Sequence, residues 1–330
     1  MCIRDRYSRE PYEWSVGAAS KWWLHHSLLA LDEALQQMGG RLVIRQGSSI
    51  TQLYASLLNE YSVDAVFWNR LYTPLAIERD KSLKSELRQQ GVTVQSFKAG
   101  LLFEPHEIVK DNGEHYQVFT AFWKRCLREG IYRTEESAPE SVQVPAAVTG
   151  DQVTSLELLP SLGWDKGFYE HWQPGESAAT GVLSQFLDGV IDHYVPDRDH
   201  PAVAGTSRLS PYLHFGEISP AQVVNRVMAM QPDSSHSSER FLAEIGWREF
   251  AAYTLFHVPR SMHESMNPRF AHFPWQHDPD ALRRWQQGMT GLPVIDAGMR
   301  QLWHTGWMHN RVRMLVASFL TKNLMLHWYE

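Results

Sequence analysis

Cysteine is nearly absent: Cys2 and Cys126 are the two in 330 residues. That is neither a disulfide framework nor a metal quartet, and it points to a reducing cytosol. No apolar run is long enough to span a bilayer and no signal-peptide core opens the chain, so a soluble, cytoplasmic protein is expected. No G-x-G-x-x-G follows a predicted strand, and no Walker motif or G-x-S-x-G element occurs. The usual dinucleotide site, the P-loop and the serine-hydrolase elbow are therefore not indicated. The sixteen histidines form no H-E-x-x-H or other ligand spacing, so no metal is predicted. Net charge is −6, so any nucleic-acid site must be a local basic patch.

What the chain does have is length for about two domains, an ordinary 43% hydrophobic share and thirteen tryptophans, most of them in the second half. From Ser20, read as an N-cap, Leu24, Leu28, Leu31, Leu35 and Met38 stripe an amphipathic helix ending at Gly39-Gly40. The pattern then predicts a strand at 41–45, a helix near 50–61, a strand at 64–68, a helix at 74–90 and a strand at 92–97. Such alternation implies a Rossmann-like α/β domain with a parallel sheet. Residues 134–152 lack periodicity and read as linker. Helical spacing follows at 182–191, 220–230, 238–256, 279–287, 294–305 and 307–327. We assign 1–6 to a non-native remnant, 7–133 to the α/β domain, 134–175 to the linker and 176–330 to an all-α domain. The helical pattern up to Trp328 meets the end of the chain at Glu330 without a cap, which reads as a fragment.

Three segments carry chemistry. Read as one helix, residues 303–314 put Trp303, Trp307, Asn310 and Met314 on one face beside Arg311 and Arg313. Stacking surface with an amide and arginines suits a planar ligand next to phosphate; a packing helix with a satisfied Asn explains the pattern equally well. Thr206-Ser207-Arg208-Leu209-Ser210-Pro211 offers hydroxyls, amides and a guanidinium at a helix entrance, suited to a diphosphate, although an ordinary N-cap is the stronger local reading. In the third, Glu244, Trp247 and Arg248 share a face, either for an aromatic, charged ligand or as a surface ion pair beside a core indole.

These residues resemble the photolyase/cryptochrome family, and within it the bacterial class I cyclobutane pyrimidine dimer photolyases. The blocks are 17–26, Trp68-Asn69-Arg70, Tyr194, 206–211, 244–250 and 306–314, in family order, across a match from about Tyr7 to Glu330. The resemblance implies an antenna α/β domain followed by a helical domain holding FAD, active when reduced. It assigns Tyr194, Thr206, Ser207, Arg208, Leu209 and Ser210 to the flavin's phosphates and ribityl chain, and places Phe241, Arg248 and Arg313 beside the cofactor. Glu244, Trp247, Asn310, Arg311 and Met314 would line the cavity for a flipped-out dimer, and Arg198 would contact DNA.

It also implies repair of UV-damaged DNA by a monomer, with electron donation to the dimer, Glu244 and Asn310 on the base edges, and Glu244 protonated by burial beside Trp247. Trp275 and Trp328 match the outer and middle members of the tryptophan chain that photoreduces the flavin. The third member and one wall of the pocket would fall beyond Glu330, so weak FAD binding is expected of this chain. Asn310 and Met314 favour dimer repair over six-four repair or a DASH-type cryptochrome. Leu75 and Ala76 stand where folate-binding relatives have polar groups, leaving folate, deazaflavin or no antenna open. The alternative function is a cryptochrome-like photoreceptor without repair. An electron-transfer flavoprotein would need the missing dinucleotide fingerprint.

Overall fold

Alternating apolar residues and one amphipathic crossover build the sheet region of the computed structural model, which describes residues 16–230 and 236–330. Helices α1 (Ala18–Gln37) and α2 (Ile50–Glu60) precede strand β1 (Ala65–Asn69); helix α3 (Pro74–Gln89) then leads to β2 (Thr93–Phe97). The two strands pair in parallel, Val66 opposite Val94 and Trp68 opposite Ser96. Val66, Trp68 and Val94 pack with Tyr54 of α2 and with Leu83 and Leu87 of α3. Every second strand residue is buried, as a sheet with one covered face requires. The assigned remnant at 1–6 lies outside the described residues.

Two expectations fail in this region. Helix α1 begins after Gly17, so Ser20 sits inside its first turn and is not the N-cap. The predicted strand at 41–45 is only an isolated antiparallel bridge, Ile44 with Asp151. Its hydrogen-bonding groups go elsewhere. Leu42 N donates to Asp32 Oδ1 at 2.7 Å, and Arg41 Nη2 donates to the carbonyls of Pro145 and Ala146. Residues 134–148 contain no helix or strand and run beside this segment, with Val142 N donating to Met38 O at 2.9 Å.

The remainder is helical: α4 (Phe119–Glu129), α5 (Lys166–His171), α6 (Glu176–Leu187), α7 (Tyr194–Asp197), α8 (Ser210–Phe215), α9 (Pro220–Met230), α10 (His236–His257), α11 (Pro279–Gln286), α12 (Pro293–Thr305) and α13 (Asn310–Ser318). One core joins α1 to this half: Trp22, Trp23, Phe122, Phe186, Tyr212, Phe241 and Tyr253 belong to a single buried cluster. Trp22 meets Phe168 and Tyr169 edge-on at 5.4 and 5.1 Å, contacts worth about 0.5–1.5 kcal/mol each beyond area burial. Trp23 Nε1 donates to buried Glu217 at 3.0 Å, and Glu217 also accepts from Gly175 N at 2.8 Å. A separate cluster of Ile295, Met299, Met308, Val312 and Val316 holds α12 against α13.

Three predicted helices are interrupted, two of them where a glycine leaves the right-handed region. Gly189 (φ 150°) ends the helix expected across 182–191, and a short 3₁₀ turn, Val190–His193, follows. The helix expected across 303–314 is two helices, because Gly306 (φ 69°) closes α12 in the left-handed conformation. Trp303 and Asn310 therefore do not share a continuous helical face. The helix expected across 307–327 is α13 plus one π turn, Phe319–Asn323. Among the described residues, no helix is long and apolar enough to cross a membrane.

Candidate functional site

The site grows from α7. Tyr194 opens this helix, and its ring is fixed edge-on by Phe186 at 5.8 Å and Phe241 at 5.5 Å. Burial pushes its hydroxyl up to about 12, so it acts as a neutral donor or acceptor. One turn on, buried Arg198 donates through Nη1 to Tyr194 Oη at 3.3 Å and to Glu244 Oε1 at 2.6 Å. Phe241 is itself core, packed on Phe186 at 4.6 Å.

The Thr206–Ser210 loop follows. Its entry needs Gly205, since a Cβ there would sit 2.5 Å from Asp197 Cβ. Among the described residues, no hydrogen bond engages the hydroxyls of Thr206, Ser207 or Ser210. They are half-buried or exposed, and form an available donor set for an anionic ligand. Leu209 is buried and anchors the loop in the core. Arg208 lies between two indoles. It adopts φ 54°, and its guanidinium lies 4.4 Å over Trp172 and 5.1 Å over Trp307, with Nε unpaired.

On α10, Trp247 is 47% exposed and stacks on Phe119 at 3.8 Å with an 11° interplanar angle. Glu244 is half-buried, and its partner is the Arg198 guanidinium. Arg248 points inward and donates to Gly100 O at 2.6 Å. Its neighbour Glu249, absent from the expected site, is buried and accepts from Leu102 N at 2.7 Å and Phe103 N at 3.4 Å. Burial pushes this carboxyl up to about 7, against the pull of Arg248 and the two amides. A polar residue on the core side of the α10 pattern was the available signal.

At α13 the N-cap is His309, whose Nδ1 accepts from Arg311 N at 3.1 Å. Asn310, Arg313 and Met314 are exposed. Arg311 donates through Nε to Asp199 Oδ1 at 2.6 Å and approaches Met314 Sδ at 3.5 Å. Asp199 also lies 3.4 Å from Arg198 Nε, so Glu244, Arg198, Asp199, Arg311 and Met314 form one connected line. Sequence reasoning named four of these and missed Asp199; the Asp197-Arg198-Asp199 run was the signal.

Trp275 and Trp328 come together through a residue not anticipated. His327 lies 4.9 Å from the Trp275 ring and 5.2 Å from the Trp328 ring. The bridge between Gln276 and Leu326 sets this register. Among the described residues, no group of three or more His, Cys, Asp or Glu is placed to hold a metal.

Residues 1–143 match the family described as DNA photolyase, and residues 241–330 match the FAD binding domain of DNA photolyase. The chain is 42% identical over 325 residues to the deoxyribodipyrimidine photo-lyase of Agrobacterium fabrum, covering 98% of this chain and 68% of that one. The chain belongs to the photolyase/cryptochrome family. Its fold is the family's, an α/β domain with a small parallel sheet followed by a helical domain: it superimposes on the crystal structure of a class III photolyase from Agrobacterium tumefaciens with a TM-score of 0.90 and 40% identity, over 96% of this chain and 68% of that one. Cryptochrome-2 of Arabidopsis thaliana is 34% identical over 94% of this chain and 53% of its own length. These relatives do not support the expected class I assignment, since the structure is described as class III.

The residues fit the family's flavin. Unengaged hydroxyls at Thr206, Ser207 and Ser210 suit phosphate and ribityl groups, and Tyr194 opens the helix that precedes this loop.

Proposed function

We propose that the protein is a flavin-dependent photolyase that repairs cyclobutane pyrimidine dimers in DNA, and that its subtype is class III. The observation that carries this reading is the connected line from Glu244 through Arg198 and Asp199 to Arg311 and Met314. It brings acceptor, guanidinium and apolar groups from three elements to one surface, next to exposed Asn310. Duplex DNA hides a dimer in its stack, so the lesion must be flipped out to reach such a surface.

In this account Thr206, Ser207, Leu209 and Ser210 hold the cofactor's phosphate and ribityl groups, by side chain or loop backbone, and Tyr194 orients it. Arg208 acts from behind by bracing the loop on Trp172 and Trp307. Arg248 and Phe241 shape the pocket from α10, and Arg313 contributes charge from α13. Reduced FAD, when bound, supplies light absorption and the reversible one-electron donation that ring splitting requires without net redox change. Trp247 offers a stacking face to the flipped bases, while Glu244 and Asn310 meet their polar edges. Arg198 and Arg311 take the flanking phosphates, and Met314 adds apolar contact. Trp275, His327 and Trp328 form a line of aromatic rings suited to reducing the flavin from the surface. A second, antenna chromophore, folate or deazaflavin, belongs to the same proposal, as do monomeric action and a cytoplasmic location.

The similarity to a plant cryptochrome supports a second reading, a flavin photoreceptor without repair. Asn310 separates the two. Asn310→Ala in a repair enzyme lowers affinity for dimer-containing oligonucleotide over the undamaged strand; in a receptor neither protein shows that preference. Equal binding of both strands by the wild-type protein with FAD would rule out the repair reading.

A further inference from the structure

We propose that Asp199 is a positioning residue that clamps the Arg311 guanidinium for a DNA phosphate, beside the buried Arg198–Glu244 pair. The inference rests on the repair reading and adds to it a residue outside the expected site. A single carboxylate oxygen, Asp199 Oδ1, accepts from Arg311 Nε at 2.6 Å and lies 3.4 Å from Arg198 Nε. The two arginines belong to elements far apart in sequence, the end of α7 and the start of α13. Arg311 is held at Nε, which leaves its Nη2 to face a ligand; buried Arg198 Nε makes no hydrogen bond and stands only at ion-pair distance from the same oxygen. Arg198 Nη1 is occupied by Glu244 and Tyr194, whereas among the described residues no hydrogen bond engages Arg311 Nη2. A guanidinium held at Nε keeps the fork that suits a phosphate oxygen pair.

The arrangement makes little sense as a stability device. The Asp199 side chain is 48% exposed and that of Arg311 37%, and pairs of this exposure contribute little to folding. Nor does it make sense as simple charge, because a carboxylate beside a polyanion repels it. What it does is order the long Arg311 side chain before the ligand arrives, reducing the entropy lost on binding. The Arg311 backbone is fixed as well, by the cap from His309 Nδ1.

Charge and positioning predict opposite signs. Asp199→Ala removes a negative charge, so repulsion alone predicts tighter binding to any DNA. The clamp predicts about a fivefold loss in preference for a dimer-containing oligonucleotide over the undamaged strand, with the thermal midpoint unchanged. Asp199→Asn is neutral but keeps an acceptor oxygen, and is expected to retain most of the preference. The measurement is fluorescence anisotropy on the FAD-supplemented chain, with both oligonucleotides, at two salt concentrations. Tighter dimer binding by both variants, with preference intact, overturns the clamp. A second readout works without DNA: the Arg311 Nε–H resonance in ¹⁵N-edited NMR is expected to be protected from exchange in wild type and lost in Asp199→Ala. If wild type fails to discriminate the two oligonucleotides, the repair reading falls. The NMR comparison then decides the clamp by itself, and an unchanged resonance in Asp199→Ala rejects it.

Discussion

Arg198 and Glu244 form the central ion pair of the site, 2.6 Å apart, with the arginine side chain only 9% exposed and the glutamate 29%. Removing one member leaves a nearly buried charge without its partner, which costs more than the pair contributes. Glu244→Ala is expected to destabilise the fold by about 1–3 kcal/mol, and Glu244→Gln by less, since the amide oxygen still accepts. Urea titrations of the three proteins measure this. Equal midpoints would show that Arg198 is held by other groups.

Glu217 ties α1 to the helical half. Its carboxylate accepts from Trp23 Nε1 and Gly175 N, both inside the core. Glu217→Ala strands two buried donors and is expected to lower stability by about 2–4 kcal/mol, read by calorimetry. Trp23→Phe removes one donor together with its need for a partner and is expected to be milder.

Glu249 makes stability depend on pH. Its folded-state pKa of about 7 lies above the ordinary 4.5, so the folded protein binds this proton more tightly than the unfolded chain. The contribution is fully present below about pH 4.5 and is lost as pH rises through 7, by about 3 kcal/mol at most. Glu249→Gln keeps an acceptor for Leu102 N and is expected to flatten the profile between pH 5 and 8. An unchanged slope would assign the pH dependence to other groups.

Gly306 sets the angle between α12 and α13. Its φ is 69°, and a Cβ there would meet Phe168 Cζ at 2.8 Å. Gly306→Ala is expected to cost about 1–3 kcal/mol and to weaken DNA binding, because Asn310 and Arg311 shift with α13. Thermal melting and anisotropy check the two effects separately.

Much of the fold was legible because local patterns and tertiary burial agree. The helices at Ile50–Glu60, Pro74–Gln89 and Pro220–Met230 and the strands at Ala65–Asn69 and Thr93–Phe97 lie within a residue or two of expectation. The strand at 41–45 was lost because Asp32 takes the Leu42 amide and Arg41 turns to the chain at 145–146, interactions that no periodicity reports. Helical spacing across Trp303 to Met314 concealed the break, although Gly306 was the one residue able to make it. At the site, the positions of Arg198, Glu244, Arg311 and Met314 were readable from motifs. The contact of Asp199 with Arg311, the seat of Arg208 between two indoles and the link through His327 depend on long-range packing.

The most direct test of the account is light-dependent repair. Oligo(dT) carrying thymine dimers is incubated with the protein and reduced FAD, in the dark and under blue or near-UV light, and the remaining dimers are counted by chromatography. The account predicts loss of dimers in the light alone, abolished or strongly reduced in Glu244→Ala and Asn310→Ala. Bound flavin with equal dimer content in light and dark would contradict it and favour the photoreceptor.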